Sequence, residues 1–242
     1  MDSTDNQIRR TLISHWDELN ACIARLNNSA SIVPNWGYDA IKHVATEGNI
    51  SRFEIGPIVA NVPESKDHSS TDLYVVVRGL LLIDRECFRT EERIRTLGFA
   101  TEAGYFRLKD NTLHHVYGAH YDFSENEVGH PVFHGQMKSF GDFSEVIKKQ
   151  YDQNDLALED AMKGILKNVR LPTAQMDIFS FFLQVVADHL LSKSSGEDEK
   201  RDFGALLDKS KSIQGAGSEI SRLQILPAIH CYRSTHWYPP GV

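Results

Sequence analysis

DLYVVVRGLLLI, residues 72–83, decides the fold of this chain. The run is β-branched and apolar, and it is too short and too continuous for an amphipathic helix. A half-exposed strand would alternate polar and apolar residues. A strand buried on both faces has no such need. The stretch therefore predicts an interior strand.

Strand character continues on either side. RFEIGPIVANV (52–62) is β-branched, and Pro57 marks an edge or a bulge. PESKDHSSTD (63–72) reads as a polar surface loop. FRTEERIRTLGF (88–99) fits either a short helix or a strand. AGYFRLKD (103–110), TLHHVYGAHYDF (112–123) and HPVFHGQMKSF (130–140) follow, separated by turn residues. Together they predict a strongly twisted antiparallel sheet of about four to six strands.

Helices flank this sheet. Ser3, Thr4 or Asp5 caps the first, in which Ile8, Leu12, Leu19, Ile23 and Leu26 recur at helical spacing beside Trp16 and Cys22. A shorter helix is expected after PNWG, with Tyr38, Ile41 and Val44 inward and Glu47-Gly48-Asn49 closing it. Beyond Gly141, DFSEVIKKQY and LEDAMKGILKNV are amphipathic. Leu171-Pro172-Thr173 reads as a helix start with Thr173 as N-cap, leading into the apolar run MDIFSFFLQVVADHLL (176–191). That run is shorter than the about 20 residues of a membrane span and holds two aspartates, so it reads as a core helix. SKSSGEDEKRD (192–202) is an expected exposed loop, DFGALLDKSKSI a weak helix, and RLQILPAIHCYRSTHWYPP an extended docking strap. The expectation is one α+β domain over 1–242: a helical N-terminal layer (1–50), an antiparallel sheet (51–141) and a helical C-terminal part (142–242) ending in the strap.

Composition narrows the function classes. Net charge is −7, and no lysine or arginine block occurs, which disfavours nonspecific clamping of duplex nucleic acid. Arg85, Arg89, Arg93, Arg95, Arg107 and Lys109 are interspersed with acids and read as a solvated mixed-charge surface. Cys22, Cys87 and Cys231 lie far apart with no CxxC pair, which fits a reducing cytoplasm and no zinc ribbon. The polar, acidic N-terminus MDSTDNQIRR is not a secretory signal, and no membrane association is expected.

Five of the eleven histidines fall in HHVYGAHYDFSENEVGHPVFHG, residues 114–135. At strand period, His114, Val116, Gly118, His120 and Asp122 share one face, and His115, Tyr117, Ala119, Tyr121 and Phe123 share the other, which looks like core. On the returning segment His130, Val132, His134, Gln136 and Lys138 share a face. If the two mixed faces look the same way, His120, Asp122, His130 and His134 converge, and Gly118 and Gly135 leave room for a close approach. Three readings stand. Imidazoles plus a carboxylate can hold a divalent metal ion. Two histidines can act as acid and base in phosphodiester cleavage, with Lys138, Arg107 or Arg233 as the phosphate cation. Or the histidines pack and hydrogen-bond as structure. No HExxH, Walker loop or GxSxG is present.

Asp177, Gln184 and Asp188 lie near one stripe of the apolar helix. Carboxylates there need a cation, water or N–H donors. They either meet Arg170, Arg233 or backbone N–H groups, or reach toward the histidines. His230, Arg233 and His236 form a second, weaker candidate group within the strap.

HYDF…GHPVFH followed by RLPTAQMDIF…VADHL resembles an uncharacterised family of small bacterial proteins found near mobile elements and defence genes. The likeness covers about the C-terminal two thirds of the chain. It implies a bacterial cytosolic protein and permits a nuclease-like or toxin-like role, without assigning roles to residues. Two expectations follow. One is a phosphodiesterase acting on RNA or a nucleotide through His120, His134, His130 and Asp122, with those same four residues as ligands if a metal takes part. The other is a non-catalytic subunit of a bacterial, defence-associated protein complex.

Overall fold

The computed structural model describes residues 2–27, 29–34, 36–66, 70–123, 130–131, 133–152, 155–160, 170–172, 176–192, 194–211 and 231–232. Among them a nine-stranded, mostly antiparallel sheet is flanked by helices, an α+β fold. No helix among the described residues is long and apolar enough to cross a membrane.

Helix α1 (Ser3–Leu26) forms on the apolar period read from the sequence. Ile8, Leu12, Trp16, Leu19, Cys22, Ile23 and Leu26 are all buried along its stripe. Each large side chain contributes about 1.5–3 kcal/mol by leaving water. The cap is Asp2 rather than Ser3, Thr4 or Asp5: its carboxylate accepts the Asp5 N–H at 3.0 Å. Asp5 is buried instead, accepting from Ser51 and from Thr46 Oγ1 (2.8 Å) and paired with Arg85 Nε at 3.2 Å.

Strand β1 (Ser31–Val33) is followed by a single helical turn, α2 (Gly37–Ala40), and then by β2 (Ile41–Glu47). The helix expected after PNWG is thus one turn long. Tyr38 and Val44 are exposed, not inward. Gly48, at φ +58°, and Asn49 make a two-residue hairpin turn into β3 (Ile50–Val62), with Glu47 opposite Ile50. A glycine at positive φ serves a helix C-terminus and a hairpin equally well, which is why the sequence misleads here.

β3 pairs with β4 (Leu73–Asp84) and breaks register between Ile55 and Ile58, the bulge that Pro57 announced. On its other side β3 pairs with β2 through Ile55 and with β1 from Val59. Pro57 falls in the gap, where its missing N–H costs no ladder bond. Helix α3 (Arg85–Glu91), capped by Asp84, then leads to β5 (Thr96–Lys109), so FRTEERIRTLGF divides between a helix and a strand. β6 (Thr112–Phe123) completes the central meander.

β7 (His130–Pro131) lies outside the large sheet, and β8 (Phe133–Met137) pairs with β6. Helix α4 (Phe143–Gln150) follows. The sheet extends past residues 51–141 at both ends. Besides β1 and β2 it takes β9 (Ala157–Asp160), parallel to β6, and β10 (Arg170–Pro172), antiparallel to β8. LEDAM therefore opens as a strand rather than a helix; residues 161–169 lie outside the described residues. Helix α5 (Ile178–His189) starts later than Thr173 and is capped by Asp177, whose carboxylate accepts from the Phe179 and Ser180 N–H groups at 3.0 and 3.3 Å. Thr173 itself lies outside the described residues. Helix α6 (Glu197–Lys211) takes up much of the expected SKSSGEDEKRD loop. Of the strap, only Cys231 and Tyr232 are described; they form β11, parallel to β7.

Alternation along β4 builds two cores. Val75, Val77, Leu81 and Ile83 face one, covered by α1 and α5. Tyr74 and Val76 face the other, covered by Phe140, Phe143 and Ile147. The interior strand predicted from residues 72–83 is this one: its first half is buried on both faces.

Candidate functional site

The second face of the sheet is only partly covered, and strand register sets where the cover ends. One row runs Val76, Gly104, Gly118 across β4, β5 and β6. The glycines seat the stacked rings of Phe140 and Phe143, whose centroids are 4.9 Å apart. A side chain at Gly104 would touch Phe143 at 3.0 Å; one at Gly118 would overlap the carbonyl oxygen of Lys138. The room at Gly118 is thus filled by the chain's own backbone, whose Lys138 N–H donates to the Gly118 carbonyl at 2.9 Å.

The next row is polar: Arg78, Glu102, His120 and Gln136 stand in register on β4, β5, β6 and β8. Arg78 Nε donates to Glu102 Oε2 at 2.5 Å, and Lys138 Nζ donates to Glu102 Oε1 at 3.1 Å. Both cations also cap the aromatic seat, Arg78 at 4.8 Å from the Phe143 centroid and Lys138 at 5.1 Å from that of Phe140. Burial alone would push the Glu102 carboxyl up; the hydrogen bonds and charges of Arg78 and Lys138 outweigh it and hold Glu102 below its ordinary value.

His120 stands between two carboxylates. Its Nε2–H donates to Asp122 Oδ2 at 3.0 Å, which fixes the neutral tautomer because a carboxylate only accepts. Nδ1 is buried 3.8 Å from Glu102 Oε1 and makes no hydrogen bond among the described residues.

Beyond this row lies a groove of about 360 Å³ floored by Ile55, Pro57, Leu80 and Ala100, with Arg52, Glu54 and His120 on its walls. Arg52 and Glu54 are two apart on β3 and therefore look the same way. Arg78 is shared between Glu102 and Asp142, and Lys138 is bound to Glu102. Arg52 makes no ion pair among the described residues. Among the described residues of the groove it is the cation without an ion pair, and the sequence reading missed it. RFE gives no motif; β3 register sets Arg52 opposite Leu82, on the same face as Arg78 but four residues along β4 from it, and the groove is what joins it to His120.

The sequence candidates are thus partly brought together. His120, Asp122 and Lys138 share the site. His134 occupies the register position opposite Asp122, and Gln136 that opposite His120. His130 is paired with Cys231 outside the large sheet. The side chains of His130 and His134, and all of Arg233, lie outside the described residues. Arg107 is on the other face, bound to Glu64. The face pattern of β6 changes as well. Tyr105 opposes Tyr117, but Phe106 opposes His115, so Val116 is an extra, bulged residue. His115, stacked on Phe106 at 4.7 Å, joins the second core. His114 instead meets Glu159 at 3.2 Å. The expected pairing of His114 with His120 and of His115 with Tyr117 is reversed by that bulge.

Among the described residues no three His, Cys, Asp or Glu side chains are arranged to hold a metal ion. The metal reading needs His130 and His134. Asp177 is spent as a helix cap and Asp188 accepts from Gln184 at 2.8 Å, so neither reaches His120. No family model, curated protein or solved structure matches the chain.

Proposed function

We propose that the chain binds the phosphate of a nucleotide or an RNA strand in the Arg52–His120 groove and cleaves a phosphoester there. The observation that carries this is the His120–Asp122 hydrogen bond at the wall of a groove in which, among the described residues, Arg52 is the cation without an ion pair. In RNA the 2′-hydroxyl attacks phosphorus and the 5′-oxygen leaves. At rest Nε2 of His120 is held by Asp122 and Nδ1 is buried, so the ring must turn to present a nitrogen to the groove; it then takes the proton of the nucleophile and returns one to the leaving group. An imidazolium formed midway is held by Asp122 and Glu102, while Arg52 meets the charge growing on the phosphate. His134, in register beside Asp122, is the candidate second acid–base group. The resemblance to bacterial proteins near defence genes agrees with a nuclease-like role.

The test is cleavage of the ribodinucleotide UpA by wild type, His120→Gln and Asp122→Asn. General acid–base groups contribute about 10²–10⁴-fold, so each variant should lose that much turnover while melting within a few degrees of wild type. Full activity in both variants excludes the proposal. Activity lost in chelator and restored by a divalent ion assigns metal chemistry to the same residues; activity kept in chelator assigns acid–base chemistry.

A second reading is a non-catalytic subunit of a bacterial protein complex. It is supported by the carboxylate beside each nitrogen of His120, a structural arrangement in its own right, and by Trp36 and Tyr38, which are 70% and 66% exposed. Under it, a stoichiometric protein partner is recovered by wild type and His120→Gln and lost on Trp36→Ala.

A further inference from the structure

A second pocket, of about 360 Å³, opens on the opposite face of the sheet between β5, β6 and α5. Its walls are aromatic. Tyr105 meets Tyr117 at 5.8 Å and Phe181 at 6.2 Å, inclined by 68° and 66°; Tyr121 meets Phe181 at 6.0 Å and 45°. Four aromatic rings thus line one pocket, and an aromatic face attracts a cation.

The charges around these rings do not cancel. Arg107 is neutralised by Glu64. His189 Nδ1–H donates to the Glu64 carbonyl at 2.9 Å. Asp188 has no cationic partner among the described residues; both its oxygens accept from the neutral Gln184 amide at 2.8 Å. Among the described residues Asp188 is thus the carboxylate of this pocket with no ion-pair partner. The tyrosines do not add to it: Tyr117 and Tyr121 hydrogen-bond to each other at 2.9 Å, and burial, then Asp188, pushes the Tyr105 hydroxyl up. Nor does the pocket hold a spare cation for a phosphate, which separates it from the Arg52 groove.

We propose that this pocket binds a small organic cation of the alkylated ammonium class, its alkyl groups against Tyr105, Tyr117 and Phe181 and its charge opposite Asp188. The site is independent of the phosphoester reading, and its success or failure leaves that reading untouched.

The probes are choline and its neutral isostere 3,3-dimethylbutan-1-ol, titrated by calorimetry into the full chain and into Asp188→Asn. Asp188 is exposed, so that variant keeps the fold, and the isostere comparison needs no variant at all. Choline should bind at least about tenfold more tightly than the isostere, and Asp188→Asn should weaken choline about five- to tenfold while leaving the isostere unchanged. Equal affinity for the two probes overturns the proposal. So does choline binding that is indifferent to Asp188→Asn, or the absence of choline binding at about 10 mM.

Discussion

Replacing Gly118 by alanine should be among the most damaging single-methyl changes in the protein. Gly118 is buried on β6, at the point where the chain after β8 crosses it. The added Cβ would overlap the Lys138 carbonyl oxygen and press on His115 Nε2 at 3.0 Å and on Phe140 at 3.1 Å. The first contact is with backbone, which cannot rotate away, so β6 and residue 138 must separate. Overpacking costs about 1–3 kcal/mol. Separation also stretches the 2.9 Å Lys138 N–H to Gly118 carbonyl bond, worth about 1 kcal/mol. The sum is about 2–4 kcal/mol. For a chain of this size that is a fall in Tm of about 5–15 °C. Urea unfolding followed by tryptophan fluorescence measures it directly. A Gly118→Ala protein that unfolds within about 0.5 kcal/mol of wild type would show that the close approach is not there, and with it the seat that places Lys138 beside Glu102.

Other expectations follow from the same contacts. His15 is buried against Phe179, and burial, with a smaller effect from Lys209, pushes it down to about 4. A depressed folded-state value means full stability above the ordinary value near 6.5 and progressive loss as pH falls to about 4, a few kcal/mol in all; unfolding curves of His15→Gln should be flatter over that window, and an unchanged slope contradicts the assignment. Asp177→Ala removes the cap of α5 and should cost about 1–2 kcal/mol in urea unfolding. Asp5→Ala removes one of the two carboxylates on Arg85, which keeps Asp2, and the acceptor of the Ser51 and Thr46 hydroxyls, and should cost about 1–3 kcal/mol, seen as a lower melting temperature.

Much of the fold was legible where one physical pattern has one meaning. The stripe from Ile8 to Leu26 recurs at helical period and forms α1, and the continuous, β-branched run from Leu73 to Ile83 forms an interior strand. The reading failed where a signal has two meanings. Tyr38, Ile41 and Val44 are three apart as on a helix, but α2 ends at Ala40 and β2 then turns Ile41 inward and Val44 outward. Gly48 then looks like a helix stop although it is a hairpin turn. Thr173 and Asp177 are both good caps, and α5 uses the second. The site was half legible for a similar reason. His120 and Asp122 share a face in any strand, so their pairing followed from spacing alone. A bulge at Val116 has no composition signal, and it exchanges His114 for His115. Glu102, Arg78 and Arg52 enter through register across β3, β4 and β5. Long-range pairing of that kind is not written in any local stretch.

Arg52 and His120 line one groove, and the proposed function requires a phosphate to bind between them. The affinity of uridine 3′-monophosphate, measured by calorimetry at low salt, tests it most directly. Wild type should bind, and Arg52→Ala should bind about 10–100-fold more weakly, the worth of one charge-assisted contact to phosphate. Equal binding by the two proteins, or no binding by either, contradicts it.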